Sequence, residues 1–253
     1  MYILSYNVNG IRAAMSKGLA EWLEQEKPDV VCIQETKAQP EQIPQLPLES
    51  LGYHCYWFSA ERRGYSGVGI LSRQKPDHVE YGMGMEKYDR EGRVIRADFR
   101  DRTVLSVYHP NGSANEVRHN YKMDWLEDFA AYAGELKQRR PGLIISGDYN
   151  ICHKDIDIHD PVRHANTSGF LPEERAWVTR FLDQGFADSF RHFNGEPHQY
   201  TWWSFRANAR KRNLGWRIDY NMVGEELVPD LQDAGIMPEV KHSDHCPAWV
   251  VVG

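Results

Sequence analysis

Short apolar runs rich in β-branched residues recur along the chain, at Tyr2 to Tyr6, Asp29 to Ile33, Gly67 to Leu71, Arg93 to Phe99, Thr103 to Tyr108, Gly142 to Ser146, Trp216 to Met222 and Pro247 to Val252. Runs this short, bounded by turn formers, read as strands. Helical patterns lie between some of them, at Lys17 to Gln25, Glu116 to Leu136 and Pro172 to Gln184. The last opens with proline and two glutamates, as a helix N-terminus favours. Many buried strands with few helices outside them predict an α/β fold of two packed sheets with helical layers. No repeat, low-complexity tract or Gly/Ser linker interrupts the chain, so one domain over 1–253 is expected. The turn-rich stretch from Lys154 to Gly169 is long enough to be a functional loop.

Several of the strands end in carboxylates or amides where a loop should begin. Tyr2 to Tyr6 runs into Asn7 and Asn9, Val30 to Ile33 into Gln34 and Glu35, and Leu143 to Ser146 into Asp148 and Asn150. The last strand reverses the order, with Ser243, Asp244 and His245 ahead of Pro247 to Val252. An antiparallel placement of that strand would bring its start beside the others' ends. Each group alone is an ordinary turn former, but their coincidence predicts convergence on one rim. Oxygen donors with a single histidine suit a hard cation, Mg²⁺ or Mn²⁺, better than zinc. Cys246 follows His245 on an extended segment and faces the other way, so it reads as a core residue.

Composition narrows the setting. At 253 residues and 41% hydrophobic, the chain can bury one substantial core. No apolar run nears the roughly 20 residues of a membrane span, and Met1 leads straight into a strand without a charged-then-apolar leader. A cytoplasmic protein with no membrane partner is expected. Cys32, Cys55, Cys152 and Cys246 lack CxxC spacing, which fits a reducing compartment and neither a disulfide framework nor a zinc cage. A net charge of -6 does not advertise a nucleic-acid partner, so any such surface must be a local basic patch.

Ten landmarks then appear in order: SYNVNGIR from Ser5, IQETK from Ile33, RGYSGVGILSR from Arg63, YDREGR from Tyr88, VYHPNG from Val107, GDYNICHKDIDI from Gly147, SGFLPEERAW from Ser168, YTWWSFR from Tyr200, GWRIDY from Gly215 and SDHCP from Ser243. With these, essentially the whole chain resembles exonuclease III and the abasic-site endonucleases, within the endonuclease/exonuclease/phosphatase superfamily. The resemblance implies a four-layered α/β sandwich, two facing mixed β-sheets flanked by helices, with the active site at one rim and a monomer without an obligate protein partner. It implies Glu35 as principal metal ligand, with Asn7 and Asp244 close to the ion, Mg²⁺ or in its place Mn²⁺. Asp148 would orient or deprotonate the attacking water, Asn150 hold a phosphate oxygen, and His245, its tautomer fixed by Asp219, contact the scissile phosphate. Tyr108 would assist the leaving oxygen or hydrogen-bond the phosphate, and Asn111 help grip it. Such groups answer what phosphodiester hydrolysis requires: charge neutralisation, an activated water and help for a departing alkoxide.

The local basic patch is RANARKRNLGWR, with Arg206, Arg210, Lys211, Arg212 and Arg217 among Trp202, Trp203, Phe205 and Trp216. Cations neutralise phosphates, and ring faces can wall a pocket for a sugar that offers no base edge. Trp203 is also a candidate core residue. Arg62, Arg63, Tyr65, Arg90 and Arg93 would extend the grip, and Arg206 falls where relatives place a side chain that wedges into the duplex. In HANTSGF, His164 and Thr167 stand where abasic endonucleases usually carry asparagine, and a bulky His164 would narrow the pocket toward end trimming. The leading expectation is incision of double-stranded DNA 5′ to an abasic site, with some 3′ to 5′ trimming. Its rivals are a mainly 3′ exonuclease or 3′-phosphatase, a lipid or inositol-phosphate phosphatase, which would not need the Arg/Trp segment, and a silent DNA-binding module, which would have lost a metal or acid-histidine position.

Overall fold

The computed structural model describes residues 1–253. Its strands are β1 (Tyr2–Asn7), β2 (Val30–Gln34), β3 (His54–Phe58), β4 (Val68–Ser72), β5 (His78–Tyr81), β6 (Val94–Phe99), β7 (Arg102–Tyr108), β8 (Leu143–Asp148), β9 (Phe186–Asp188), β10 (Asp219–Gly224), β11 (Leu231–Ile236) and β12 (Ala248–Val252). Its helices are α1 (Ile11–Ser16), α2 (Leu19–Glu26), α3 (Gln45–Ser50), α4 (Glu86–Asp89), α5 (Glu116–Arg139), α6 (Pro161–His164), α7 (Pro172–Asp183) and α8 (Ser189–Phe193). One sheet has the order β11-β12-β1-β2-β4-β3 and the other β5-β6-β7-β8-β10-β9. Both are mixed: β1 and β2 run parallel, as do β7 and β8, and the remaining pairs are antiparallel.

The layers follow from a side-chain period of two on strands buried on both faces. Ile3, Cys32, Val104 and Ile144 point into the space between the sheets, where they meet Val68, Ile95, Val223 and Val250. Their neighbours Leu4, Val31 and Ile33 face the other way, onto Ile11, Leu19, Leu23 and Leu48 of α1, α2 and α3. Leu105, Ile145 and Met222 likewise face Trp125, Leu126 and Phe129 of α5 and Trp177 and Phe181 of α7. The result is the four-layered sandwich expected, helices outside two facing sheets. All four cysteines are free, and Cys246 is fully buried in a small cluster with Trp203 and Tyr200.

Toward one end the apolar layer between the sheets gives way to polar groups that satisfy one another. Gln34 donates to Ser106 Oγ at 3.1 Å, Ser106 Oγ to the Ile33 carbonyl at 3.0 Å, and Ser146 Oγ to Asn221 Oδ1 at 2.6 Å. Unpaired, such groups would be costly to bury; paired, Gln34 and Ile33 with Ser106 tie the two sheets together beneath the rim, and Ser146 with Asn221 ties β8 to β10. The strand register sets the site above them. The parallel pair of β7 and β8 puts Tyr108 opposite Asp148, and the antiparallel pair of β8 and β10 puts Asp219 opposite Asp148. Because β12 is antiparallel to β1, with Ala248 opposite Ser5, the residues ahead of β12 return to the end of β1.

Candidate active site

Asp148, Asp219 and His245 are buried at the rim. His245 Nδ1 lies 2.9 Å from Asp219 Oδ2, so its Nε2 faces Asp148 Oδ2 at 3.9 Å. With an aspartate accepting at Nδ1, the ring carries its proton there and leaves Nε2 for the cavity. Burial would lower the His245 pKa, but the charge and hydrogen bond of Asp219, then Asp148 and Asp244, push it up to about 10. Burial and then Asp219 and Glu35 push Asp148 up to about 7, with His245 opposing. The group is therefore an imidazolium beside a carboxylate that titrates near neutrality.

Glu35, Asp148 and His245 bring one ligand atom each within 4.8 Å of one another. The two carboxylates suit a hard divalent cation, and the charged imidazole beside them is a donor rather than a ligand. Beside them, burial first, then Glu35, holds the Tyr108 phenol well above its ordinary pKa. Lys37 Nζ lies 2.7 Å from Glu35 Oε2. Glu35 and Asn150 have φ of 54° and 51°, a conformation that non-glycine residues hold only where surroundings fix it.

Around this cluster lies a cavity of about 380 Å³, lined by Tyr108, Asn111 and Asn150, by Trp202, Trp216 and Ile218, and by Thr167, Ser168 and Gly169. Asn111 Nδ2 donates to Asn150 Oδ1 at 3.2 Å, and Asn150 Nδ2 to the His109 carbonyl at 2.9 Å. Two neighbouring hollows continue it. One of about 890 Å³, sharing Tyr108, Asn111 and Ser113, carries Arg62, Arg90 and Arg118; the other, sharing Asp244, runs past Phe205 and Lys211. Arg63 and Arg206 are exposed, and Trp203 is a core residue.

Four of the expected site residues make contacts that the sequence did not show. Asn7 does not turn an oxygen to the cluster: its Oδ1 accepts the Asn9 N–H at 3.0 Å, so its Nδ2 donates to Glu35 and Asp148, each at 2.9 Å. Asp244 stands outside the three-residue cluster, its carboxylate taken by Asn9 Nδ2 and Trp202 Nε1, both at 2.9 Å. Arg93 is 2% exposed, at the back of the hollow that carries Arg62 and Arg90. Its guanidinium donates to Glu91, to the Tyr108 carbonyl and to the Tyr65 hydroxyl, and lies 4.8 Å over the Tyr108 ring. Arg210 donates to the carbonyls of Ser243, Pro238 and Val240, and so supports the loop ahead of His245. Tyr65 is half-buried, its hydroxyl accepting from Arg93 and Arg118. Lys37 and Arg118 were not legible in the sequence, because their roles depend on partners brought up by the fold; only the nearness of Lys37 to Glu35 in IQETK was a local signal, while Asn9 was marked by its place after β1.

Comparison with known proteins agrees with this architecture. The family model described as "Endonuclease/Exonuclease/phosphatase family" matches residues 4–245. The exodeoxyribonuclease of Bacillus subtilis is 44% identical over 100% of this chain and 99% of its own. Among solved structures, a 3'-5' exonuclease from Neisseria meningitidis superposes with a TM-score of 0.93 at 30% identity, and an AP endonuclease from Archaeoglobus fulgidus with 0.91 at 30%. Each match covers 100% of this chain and 99% of the other. The chain belongs to the endonuclease/exonuclease/phosphatase family. Within it, the chain is a DNA-repair nuclease of the exodeoxyribonuclease III and AP endonuclease group.

Proposed function

We propose that the protein hydrolyses duplex DNA immediately 5′ to an abasic site, leaving a 3′-hydroxyl, with Mg²⁺ as its ion and trimming of 3′ ends as a lesser activity. The observation that carries this reading is the wall of Trp202, Trp216 and Ile218 directly beside Glu35, Asp148 and His245. Those faces offer a sugar apolar contact and no hydrogen-bonding groups with which to read a base edge.

Glu35 and Asp148 would hold the ion, which when bound supplies charge neutralisation at the phosphate. The chain's own groups do the rest. His245, charged and aimed by Asp219, donates from Nε2 to a phosphate oxygen. Asp148, held in place by the Asn7 amide and the Asn150 N–H, accepts the proton of the attacking water. Tyr108 stays a phenol because burial and Glu35 raise its pKa, so it keeps a proton to share with the phosphate or leaving oxygen. Asn150 and Asn111, linked to each other, grip the phosphate, while exposed Arg62, Arg63, Arg90, Arg206, Lys211 and Arg212 supply the flanking charge.

A second reading, mainly 3′ trimming, is favoured by one contact. The His164 ring stands edge-on to Trp216 at 5.1 Å, with its Nδ1 3.4 Å from Thr167 Oγ1, beside two residues that line the cavity a lesion would enter. Product ends separate the two. Under the first reading the wild type turns an abasic duplex into one 3′-hydroxyl fragment faster than it removes a 3′-phosphate, and His164→Asn changes that ratio little. A ratio reversed in the wild type and restored by His164→Asn establishes the second.

A further inference from the structure

Behind the cavity, outside the residues that line it, lies a buried pair of opposite charges. Lys122 on α5 and Glu174 in the first turn of α7 are both 0% exposed, with Nζ 2.6 Å from Oε1. Each turns its remaining hydrogen-bonding capacity on a different part of the site. Lys122 Nζ donates to the Asn150 carbonyl at 3.0 Å, holding a residue whose φ is 51°. Glu174 Oε2 accepts the N–H of Gly169 at 2.6 Å and of Leu171 at 3.0 Å, anchoring the loop that brings Thr167, Ser168 and Gly169 to the cavity. The parts it joins are in close contact: a Cβ added at Gly169 would lie 3.0 Å from the Trp216 ring and 3.2 Å from the Asn150 carbonyl.

A buried ion pair is weak evidence for stability, because taking both ions out of water offsets most of their attraction. Its best-defined consequence here is geometric. We propose that Lys122 and Glu174 are a positioning pair that sets Asn150 and the 167–169 loop as one unit against Asp148 and Trp216. Neither side chain meets the substrate. Movement of the loop that walls the sugar is thereby transmitted to the amide at the phosphate. The inference rests on the proposed function only for its choice of DNA substrates.

The test measures kcat and KM on an abasic-analogue duplex and on a duplex ending in a 3′-phosphate. Lys122→Met should lower kcat on both about tenfold or more with KM little changed, as for a group acting through a transition-state contact. Glu174→Gln, which weakens the loop anchor, should raise KM for the abasic duplex and leave KM for the 3′-phosphate end unchanged. Lys122→Arg keeps the cation and its donors and should recover most of the lost kcat. Trp177→Phe, in the core between α5 and α7, should lower Tm without changing kcat. Should a single variant fail to fold, the pair Lys122→Met/Glu174→Gln, which removes both charges, should show the same losses. Wild-type constants in the folded Lys122→Met and Glu174→Gln proteins would overturn the proposal, as would a kcat loss reproduced by Trp177→Phe. If the wild type ignores abasic duplexes, the proposed function fails while the 3′-phosphate arm still judges the pair.

Discussion

At Asp148 and His245, to which the proposed function gives the roles of base and phosphate donor, burial and neighbouring charge drive the pKa values away from those of free side chains. Asp148→Asn keeps the shape and the Asn7 contact but cannot take a proton, so single-turnover cleavage should fall by about 10²- to 10⁴-fold while the affinity for uncleaved DNA stays measurable. A loss under tenfold would remove Asp148 as the base. His109 behaves in the opposite sense to His245. It is fully buried, stacked on Tyr149 at 4.0 Å and edge-on to Trp125 at 4.5 Å, and burial holds its pKa well below 6.5. Below pH 6.5 the unfolded chain binds a proton that the folded chain refuses, so stability falls as pH falls, by up to about 1.4 kcal/mol per pH unit. Urea titrations from pH 7 to 5 should show a shallower fall in His109→Phe than in the wild type. At this scale the sequence was legible wherever a polar residue bordered an apolar strand: Glu35, Asp148 and Asn150 follow one, and His245 precedes one. Nothing in YDREGR tells that the Arg93 guanidinium turns inward to Glu91, Tyr65 and Tyr108.

Among elements, the eight strands legible from apolar runs are the interior strands of the two sheets. The four that were not, β3, β5, β9 and β11, are the four sheet edges. The reason is physical: an edge strand is half-solvated, so β5 reads HVEY and β11 LQDAGI, without a continuous apolar run. The expected Trp216 to Met222 strand begins only at Asp219, because Arg217 is recruited elsewhere. With 1% of its surface exposed, its side chain pairs with Asp157 at 2.8 Å and Asp188 at 2.7 Å, and Arg191 pairs with the same Asp157 at 2.6 Å. That cluster pins the 155–157 turn to the approach to β10 and so places Trp216 and Asp219. Asp157→Asn leaves the two guanidiniums under-compensated and should reduce unfolding free energy by about 3–5 kcal/mol in urea. Although burial would raise its pKa, Arg217 and Arg191 bring Asp157 down to about 2. Its contribution is therefore complete above the ordinary carboxylate range and lost as pH falls toward 2. An unchanged urea midpoint in Asp157→Asn would show the cluster to be dispensable.

At the scale of the whole molecule, an acidic chain meets a polyanionic substrate through local cations. The net charge is -6, yet one hollow beside the cavity carries Arg62 and Arg90, with Arg118 paired to Glu91, and another carries Lys211. Binding should therefore depend steeply on salt despite the low pI. Replacing Arg206, Lys211 and Arg212 by alanine should flatten the slope by about one unit for each phosphate that no longer meets a cation. A slope unchanged in that variant would move the DNA path off this face. Whether the rim cluster cuts beside abasic sites is decided by one assay. A labelled duplex with a single stable abasic analogue is incubated with Mg²⁺ or with EDTA, next to an undamaged duplex with a recessed 3′ end. Incision immediately 5′ to the analogue, lost in EDTA and faster than shortening of the recessed end, is the predicted result. An uncut abasic strand beside a ladder of shortened 3′ ends would contradict it.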